Sequence, residues 1–181
     1  MPADSVAPER NYPALFLALD DVLEALDAGR PDEDALRRSF EGSVEGFGAG
    51  KALLLRVEPD GLRAVASRGL SAEEVSACEG GRSVPGVSSS RIREAVESRR
   101  PVMVQDPRLM GPAGTEALRG RPVSVLCAPV CDPLTREALA VLYVQNEGVR
   151  NAFGEIDRAW IEVYARALGR VMAPSRREAR A

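Results

Sequence analysis

The sequence contains no histidine. That absence removes Ser-His and Cys-His nucleophile pairs, histidine-ligated haem and the common zinc sites. It also removes the usual phospho-acceptor of a histidine kinase. Aromatic residues are only 4% of the chain, too few for a platform on which bases stack. Positive charge is not in excess either. The 24 basic and 27 acidic residues leave a net charge of −3, which gives no electrostatic case for nucleic acid. The apolar runs reach strand length and stop well short of the roughly 18 residues a membrane span needs. Met1 to Arg10 lacks the basic-then-apolar order of a secretory signal, so the expected compartment is the cytoplasm. Three cysteines, an odd number, fit reduced thiols there better than a disulfide framework.

What is present is enough apolar residue for an ordinary core, 45% of 181 residues, and the length of one domain. The strongest local pattern runs from Ser124 to Asn146. Val125 to Val130 and Ala138 to Val144 are short and rich in β-branched residues, and turn formers bound each of them. Both read as buried strands. Asp132 to Arg136 between them has hairpin length and turn composition.

Helices and a second hairpin are predicted ahead of this stretch. Asn11 caps a helix with Pro13 in its first turn, and Gly29 ends it. Leu15, Leu19, Val22, Leu23 and Leu26 recur along it at helical spacing. Its other face, with Asp20, Asp21, Glu24 and Asp27, is a solvated face or an acidic docking surface. Asp32 caps a second helix with Leu36, Phe40, Val44 and Phe47 along one side. Ala52 to Val57 and Leu62 to Ser67 form strands around the turn Glu58 to Gly61, with Leu62, Ala64 and Ala66 sharing a face. Ser71 to Cys78 is a short helix, Ser90 opens an amphipathic one, and Val102 to Val104 is a short strand. Arg108 to Pro122 is a long connection containing Gly and Pro, of the kind found beside functional sites. Ile156, Trp160, Val163, Tyr164, Ala167, Leu168 and Val171 make the wide apolar stripe of a last helix, which Pro174 ends. Residues 1–10 are expected to be disordered, 11–173 to form one domain, and 174–181 to be a basic tail.

The hairpin sequence Ser-Val-Leu-Cys-Ala-Pro followed by Ala-Val-Leu-Tyr-Val resembles the central hairpin of GAF domains. The pattern Ser-x-x-Ile-x-x-x-Val, then Pro-Val-x-Val-x-Asp, resembles their ligand-covering segment. Asn151 to Asp157 resembles the entry to their last helix. The resemblance covers about residues 12–173 and implies an α/β fold with an α+β layout. That fold is GAF-like and PAS-related: a central antiparallel sheet of five or six strands flanked by helices. One sheet face is then expected to pack on the terminal helices and the other to line a pocket. Val125, Cys127, Tyr143 and Gln145 are assigned to the pocket face, with Arg68, Ser90, Arg91 and Asp106 as polar groups able to orient a ligand. The alternative is a collapsed core under ordinary loop polars.

GAF subfamilies make demands that this sequence does not meet. Tetrapyrrole-binding members use histidine. The Asn-Lys-x-x-Phe type of motif of the cyclic-nucleotide binders is not reproduced by Asn146-Glu147 or by Asn151-Ala152-Phe153. Free methionine-R-sulfoxide reductases, which share the fold and similar length, place their essential cysteines in the lid and just before the central hairpin. Val84 to Ser90 and Arg108 to Ser124 contain none. Cys127 and Cys131 lie about 13 Å apart on an extended strand, beyond the ~7 Å reach of a disulfide. Structural thiols are therefore expected, and redox sensing requires a lowered pKa and exposure.

The resemblance is to regulatory GAF domains of bacterial sigma-factor activators and sensor kinases. It implies a non-catalytic sensory domain in signal transduction and transcription regulation, with no cofactor, no nucleic acid and no membrane. No kinase, ATPase or DNA-binding module follows residue 173, so output is expected through a regulatory partner protein or a homodimer. The expected dimer interface is Leu15, Leu19, Val22, Leu26, Trp160, Tyr164 and Leu168. A ligandless protein-interaction scaffold and a cysteine-dependent reductase are the alternatives.

Overall fold

The computed structural model describes residues 9–28, 33–82, 87–105, 123–147, 149 and 151–173. The Arg108 to Pro122 connection, the helix signals at Gly29 and Asp32, Asp106 and the basic tail lie outside the described residues.

Helix α1 (Tyr12–Asp27) begins as its sequence dictates: the Asn11 side chain accepts a hydrogen bond from the Ala14 N–H at 3.2 Å, with proline in the first turn. Helix α2 is Glu33–Phe47, followed by β1 (Lys51–Glu58), β2 (Gly61–Arg68), α3 (Ala72–Glu79) and α4 (Ser89–Ser98). Strands β3 (Val102–Val104), β4 (Val123–Cys131) and β5 (Ala138–Glu147) complete the sheet, and α5 (Glu155–Met172) closes the fold. The five strands lie in the order β2-β1-β5-β4-β3, every neighbouring pair antiparallel. The β4–β5 hairpin thus sits at the centre, as its composition predicts.

Two cores sandwich the sheet. Leu54, Leu126, Ala128, Leu142 and Val144 face α1, α2 and α5. Leu53, Leu55, Val125, Cys127, Val141 and Tyr143 face α3 and α4. Because both faces are covered, Val123 to Val130 are buried without interruption rather than in alternation.

Strand β2 breaks the simple alternation. Leu54 pairs with Ala66 but Leu55 pairs with Ala64, which leaves Val65 as an extra residue. Such a bulge reverses which face the following side chains take. Leu62 and Ala64 pack toward α3 and α4, whereas Ala66 packs on the terminal-helix core. The expectation that Leu62, Ala64 and Ala66 share one face is corrected accordingly.

The expectation for residues 1–10 is corrected at Arg10 alone, since residues 1–8 lie outside the described residues. Arg10 is anchored beneath α5. Its Nε stands 2.5 Å from the Asp157 carboxylate, its Nη1 donates to the Phe47 carbonyl at 2.9 Å, and its Nη2 donates to the Ala152 carbonyl. The guanidinium also lies over the Phe153 ring, 5.4 Å from its centroid.

The expected dimer residues divide. Leu15, Val22, Tyr164 and Leu168 are 4% exposed or less and belong to the chain's own core. The Tyr164 hydroxyl is 2.7 Å from that of Ser39. Those four cannot present themselves to another molecule. Leu19, Leu26 and Trp160 are half-buried at the edge of that core. The last-helix stripe read from sequence was wide because one part packs inward and another part, Ile156 (64% exposed) and Val163 (42%), stays outside, as do Phe16 (60%) and Tyr12 (41%) of α1.

Candidate functional site

Strand β5 carries the site. Its residues Tyr143, Gln145 and Glu147 follow the period of two that places side chains on one face, here the face toward α4. The first two are buried, in a strand where apolar neighbours surround them. A polar group in that position must find partners, and these form a chain. The Ser88 N–H donates to the Tyr143 hydroxyl at 3.1 Å, and that hydroxyl donates to Gln145 Oε1. Gln145 Nε2 donates to Glu147 Oε1 at 3.2 Å, and Lys51 Nζ stands 2.8 Å from the same oxygen. Glu74 of α3 lies 4.0 Å from Lys51 on the other side. The chain therefore runs from the core to the surface across three elements.

Of the residues assigned from sequence, Val125, Cys127, Tyr143 and Gln145 share this face and are buried. Val125 is the cross-strand partner of Gln145, and Cys127 of Tyr143. Arg91, half-buried on α4, pairs with Glu94. Ser90 is exposed on the first turn of α4, with its hydroxyl 3.3 Å from that of Ser88. Arg68 is a correction. It lies beyond the β2 bulge, so it points to the opposite side of the sheet, 3.6 Å from Glu41 of α2. Asp106 lies outside the described residues.

Sequence reasoning missed Ser88, Glu147, Lys51 and Glu74. The available signal was the repeat Tyr-x-Gln-x-Glu at the end of an otherwise apolar strand. Lys51 could not be read locally, because it comes opposite Gln145 only through the pairing of β1 with β5. Replacing Tyr143 with Phe leaves the Ser88 N–H and the Gln145 amide oxygen without their shared partner. A loss of about 1–3 kcal/mol in urea unfolding is expected; an unchanged midpoint would show that the chain is not needed.

The thiols are held in their neutral form. Burial pushes the Cys127 thiol far up, with the Glu94 charge adding to it. Cys78 is raised by burial and by Glu74 and Glu79. Cys131 is raised by burial despite the opposing charges of Arg136 and Arg99. Burial likewise raises the Tyr143 and Tyr164 phenols. Unfolding exposes all these acids and lets them ionise, so above their ordinary range the unfolded chain binds fewer protons. Stability is then fully present below pH about 8.5 and falls as pH rises beyond it, by up to about 1.4 kcal/mol per pH unit for each fully buried group. Urea midpoints measured across that range check the sign.

The site is thus a buried row of hydrogen-bonding groups beside apolar walls, without an activated nucleophile among the described residues. Only its outer end, Glu147 and Lys51, reaches solvent. Among the described residues no helix is long and apolar enough to cross a membrane.

No family model matches the chain, and no curated protein matches it in sequence. Solved structures do. A free methionine-R-sulfoxide reductase from Neisseria meningitidis, solved with its substrate, superposes with a TM-score of 0.67 at 18% identity, over 98% of this chain and 99% of its own. The reduced form of the Staphylococcus aureus reductase gives 0.67 at 14%, over 93% and 99%. The GAF domain of a phosphoenolpyruvate-protein phosphotransferase from Coxiella burnetii gives 0.64 at 20%, over 94% and 99%. At such identities the likeness speaks for architecture alone, and together with the five-stranded antiparallel sheet between helical layers it establishes that this chain has a GAF fold.

Proposed function

We propose that this chain is a non-catalytic sensory domain that holds a small molecule, or a segment of a partner protein, beside the polar row of β5. The observation that carries the reading is that row itself. Ser88, Tyr143, Gln145, Glu147 and Lys51 form a continuous hydrogen-bonded path from core to surface on the sheet face away from the terminal helices. A fold needs no such path for stability, since apolar residues would fill the same volume. An occupant that competes for the Gln145 or Glu147 hydrogen bonds biases α4, which packs on β5 and β4.

The reductase reading has a specific observation behind it, the superposition on two such enzymes. The thiol chemistry argues against it. An attacking cysteine needs a lowered pKa and access, and Cys127 is fully buried with its thiol raised. The expected result is no thiol-dependent reduction of free methionine sulfoxide. Activity that disappears when Cys78, Cys127 and Cys131 are replaced would make the chain an enzyme.

Output runs through a second copy of the chain. Tyr12, Phe16, Leu19 and Leu23 on α1, with Ile156, Trp160 and Val163 on α5, recur at the three-and-four spacing of a helical seam. Phe16 and Trp160 meet edge to face at 4.8 Å, joining the two helices into one apolar strip. Light scattering at micromolar concentration is expected to give a dimer mass, and Phe16→Glu a monomer. A monomeric parent protein would remove this half of the proposal.

A further inference from the structure

The opposite end of the fold carries a second feature, a groove of about 560 Å³ between the α4–β3 link, the β4–β5 turn and α5. Six arginines line it: Arg99, Arg100, Arg136, Arg158, Arg166 and Arg170. Glu162 is the one acidic residue in its lining, and it engages Arg158 at 3.5 Å. Glu155 stands 3.7 Å from the same arginine. Among the described residues, Arg99, Arg100, Arg136, Arg166 and Arg170 have no carboxylate within ion-pair distance. The nearby Asp132 uses Oδ1 to hold the Leu134 and Thr135 N–H groups, at 2.7 and 3.0 Å. In a chain with net charge −3, this convergence of six guanidiniums on one groove, where Arg166 Nε donates to the Glu162 main-chain carbonyl at 3.4 Å, stands out.

Two of these arginines occupy positions that ordinarily favour glycine. Arg99 ends α4 with φ 54°, and Arg136 sits in the hairpin turn with φ 64°. The left-handed conformation at each point brings an arginine to the groove from a separate wall. Four more come from the adjoining link, Arg100, and from one face of α5, Arg158, Arg166 and Arg170.

We propose that this groove binds a small soluble molecule carrying two or more linked phosphate groups. Guanidinium presents a planar fork of donors that matches phosphate oxygens two at a time. Arginines on three walls of a groove this size fit a chain of phosphates, since a single phosphate reaches only some of them. The volume falls in the range of small-molecule sites. A nucleic acid is disfavoured because no aromatic residue lines the groove to stack on a base and the chain as a whole is acidic.

Titration calorimetry with inorganic pyrophosphate tests this directly, with orthophosphate as the comparison. The expected result is one saturable site, at least about tenfold tighter for pyrophosphate than for orthophosphate and weakened by added salt. The double variant Arg136→Glu, Arg166→Glu is expected to weaken it by at least about tenfold. Arg136→Gln with Arg166→Gln, milder for folding, is expected to weaken it in the same direction, and Arg63→Glu on exposed β2 to leave it unchanged. No saturable binding overturns the proposal, and so does binding that survives both double variants with their melting temperature intact. Capture of single-stranded DNA, or of phosphatidylcholine vesicles doped with phosphatidic acid, without pyrophosphate binding likewise overturns it.

Discussion

Arg10→Ala is expected to lower the unfolding free energy by about 3–5 kcal/mol, the usual cost of removing one partner from a buried ion pair. The Arg10 and Asp157 side chains are each 11% exposed, so solvent does little to screen them. Their geometry is the two-pronged kind: Nε stands 2.5 Å from Oδ1 and Nη2 donates to Oδ2 at 3.0 Å. The other bonds of the guanidinium tie the end of α2, through the Phe47 carbonyl, to the segment before α5, through the Ala152 carbonyl. Asp157 at the same time accepts the Gly154 N–H at 2.8 Å and so caps α5. Deleting the guanidinium leaves that carboxylate buried with part of its partners gone. Arg10→Lys is expected to recover little, because an ammonium cannot reach the carboxylate and both carbonyls with a planar fork. Urea unfolding gives the number. A shift under about 1 kcal/mol, the range of exposed pairs, would show that the segment before α1 is not fastened to α5.

Gly169→Ala is expected to destabilise the protein by about 1–3 kcal/mol or more, although alanine is ordinarily the better helix former by about 1 kcal/mol. The reason is contact between two main chains. A Cβ on Gly169 would lie 2.2 Å from the Cys131 carbonyl oxygen and 3.2 Å from its carbon. No side-chain rotation relieves that contact, so α5 must lift from β4 or the strand must bend. Either movement opens the core around Leu168 and Ala165. Thermal melts of the variant check this. An unchanged or raised melting temperature would mean that α5 does not lie this close to the strand.

How much of this was legible in the sequence varied with the range of the interaction that decides it. The β4–β5 hairpin, the α1 cap at Asn11 and the sharing of one face by Val125, Cys127, Tyr143 and Gln145 follow from periodicity and turn chemistry, and those are local. Arg68 was misplaced because one extra residue at Val65 inverts the alternation, and nothing in its local sequence marks a bulge. The helix faces were harder to divide. A helix at the edge of a core is apolar on both its inner and its outer side, so spacing alone does not separate Leu15 and Tyr164 from Phe16 and Ile156. Arg10 looked like part of a polar leader because its partners, Asp157 and Ala152, come more than a hundred residues later. The arginine groove was the least legible feature. Its residues are scattered from Arg99 to Arg170, and only the packing of α5 across the β4–β5 turn gathers them.

A ligand bound by this fold and reported through a paired copy, as proposed, would leave a signature in mass. Native mass spectrometry of the purified protein, repeated on the same sample after denaturation, tests it most directly. The expected result is a dimer that carries a reproducible small extra mass, lost on denaturation. A bare monomer, with no adduct under any native condition, would contradict it.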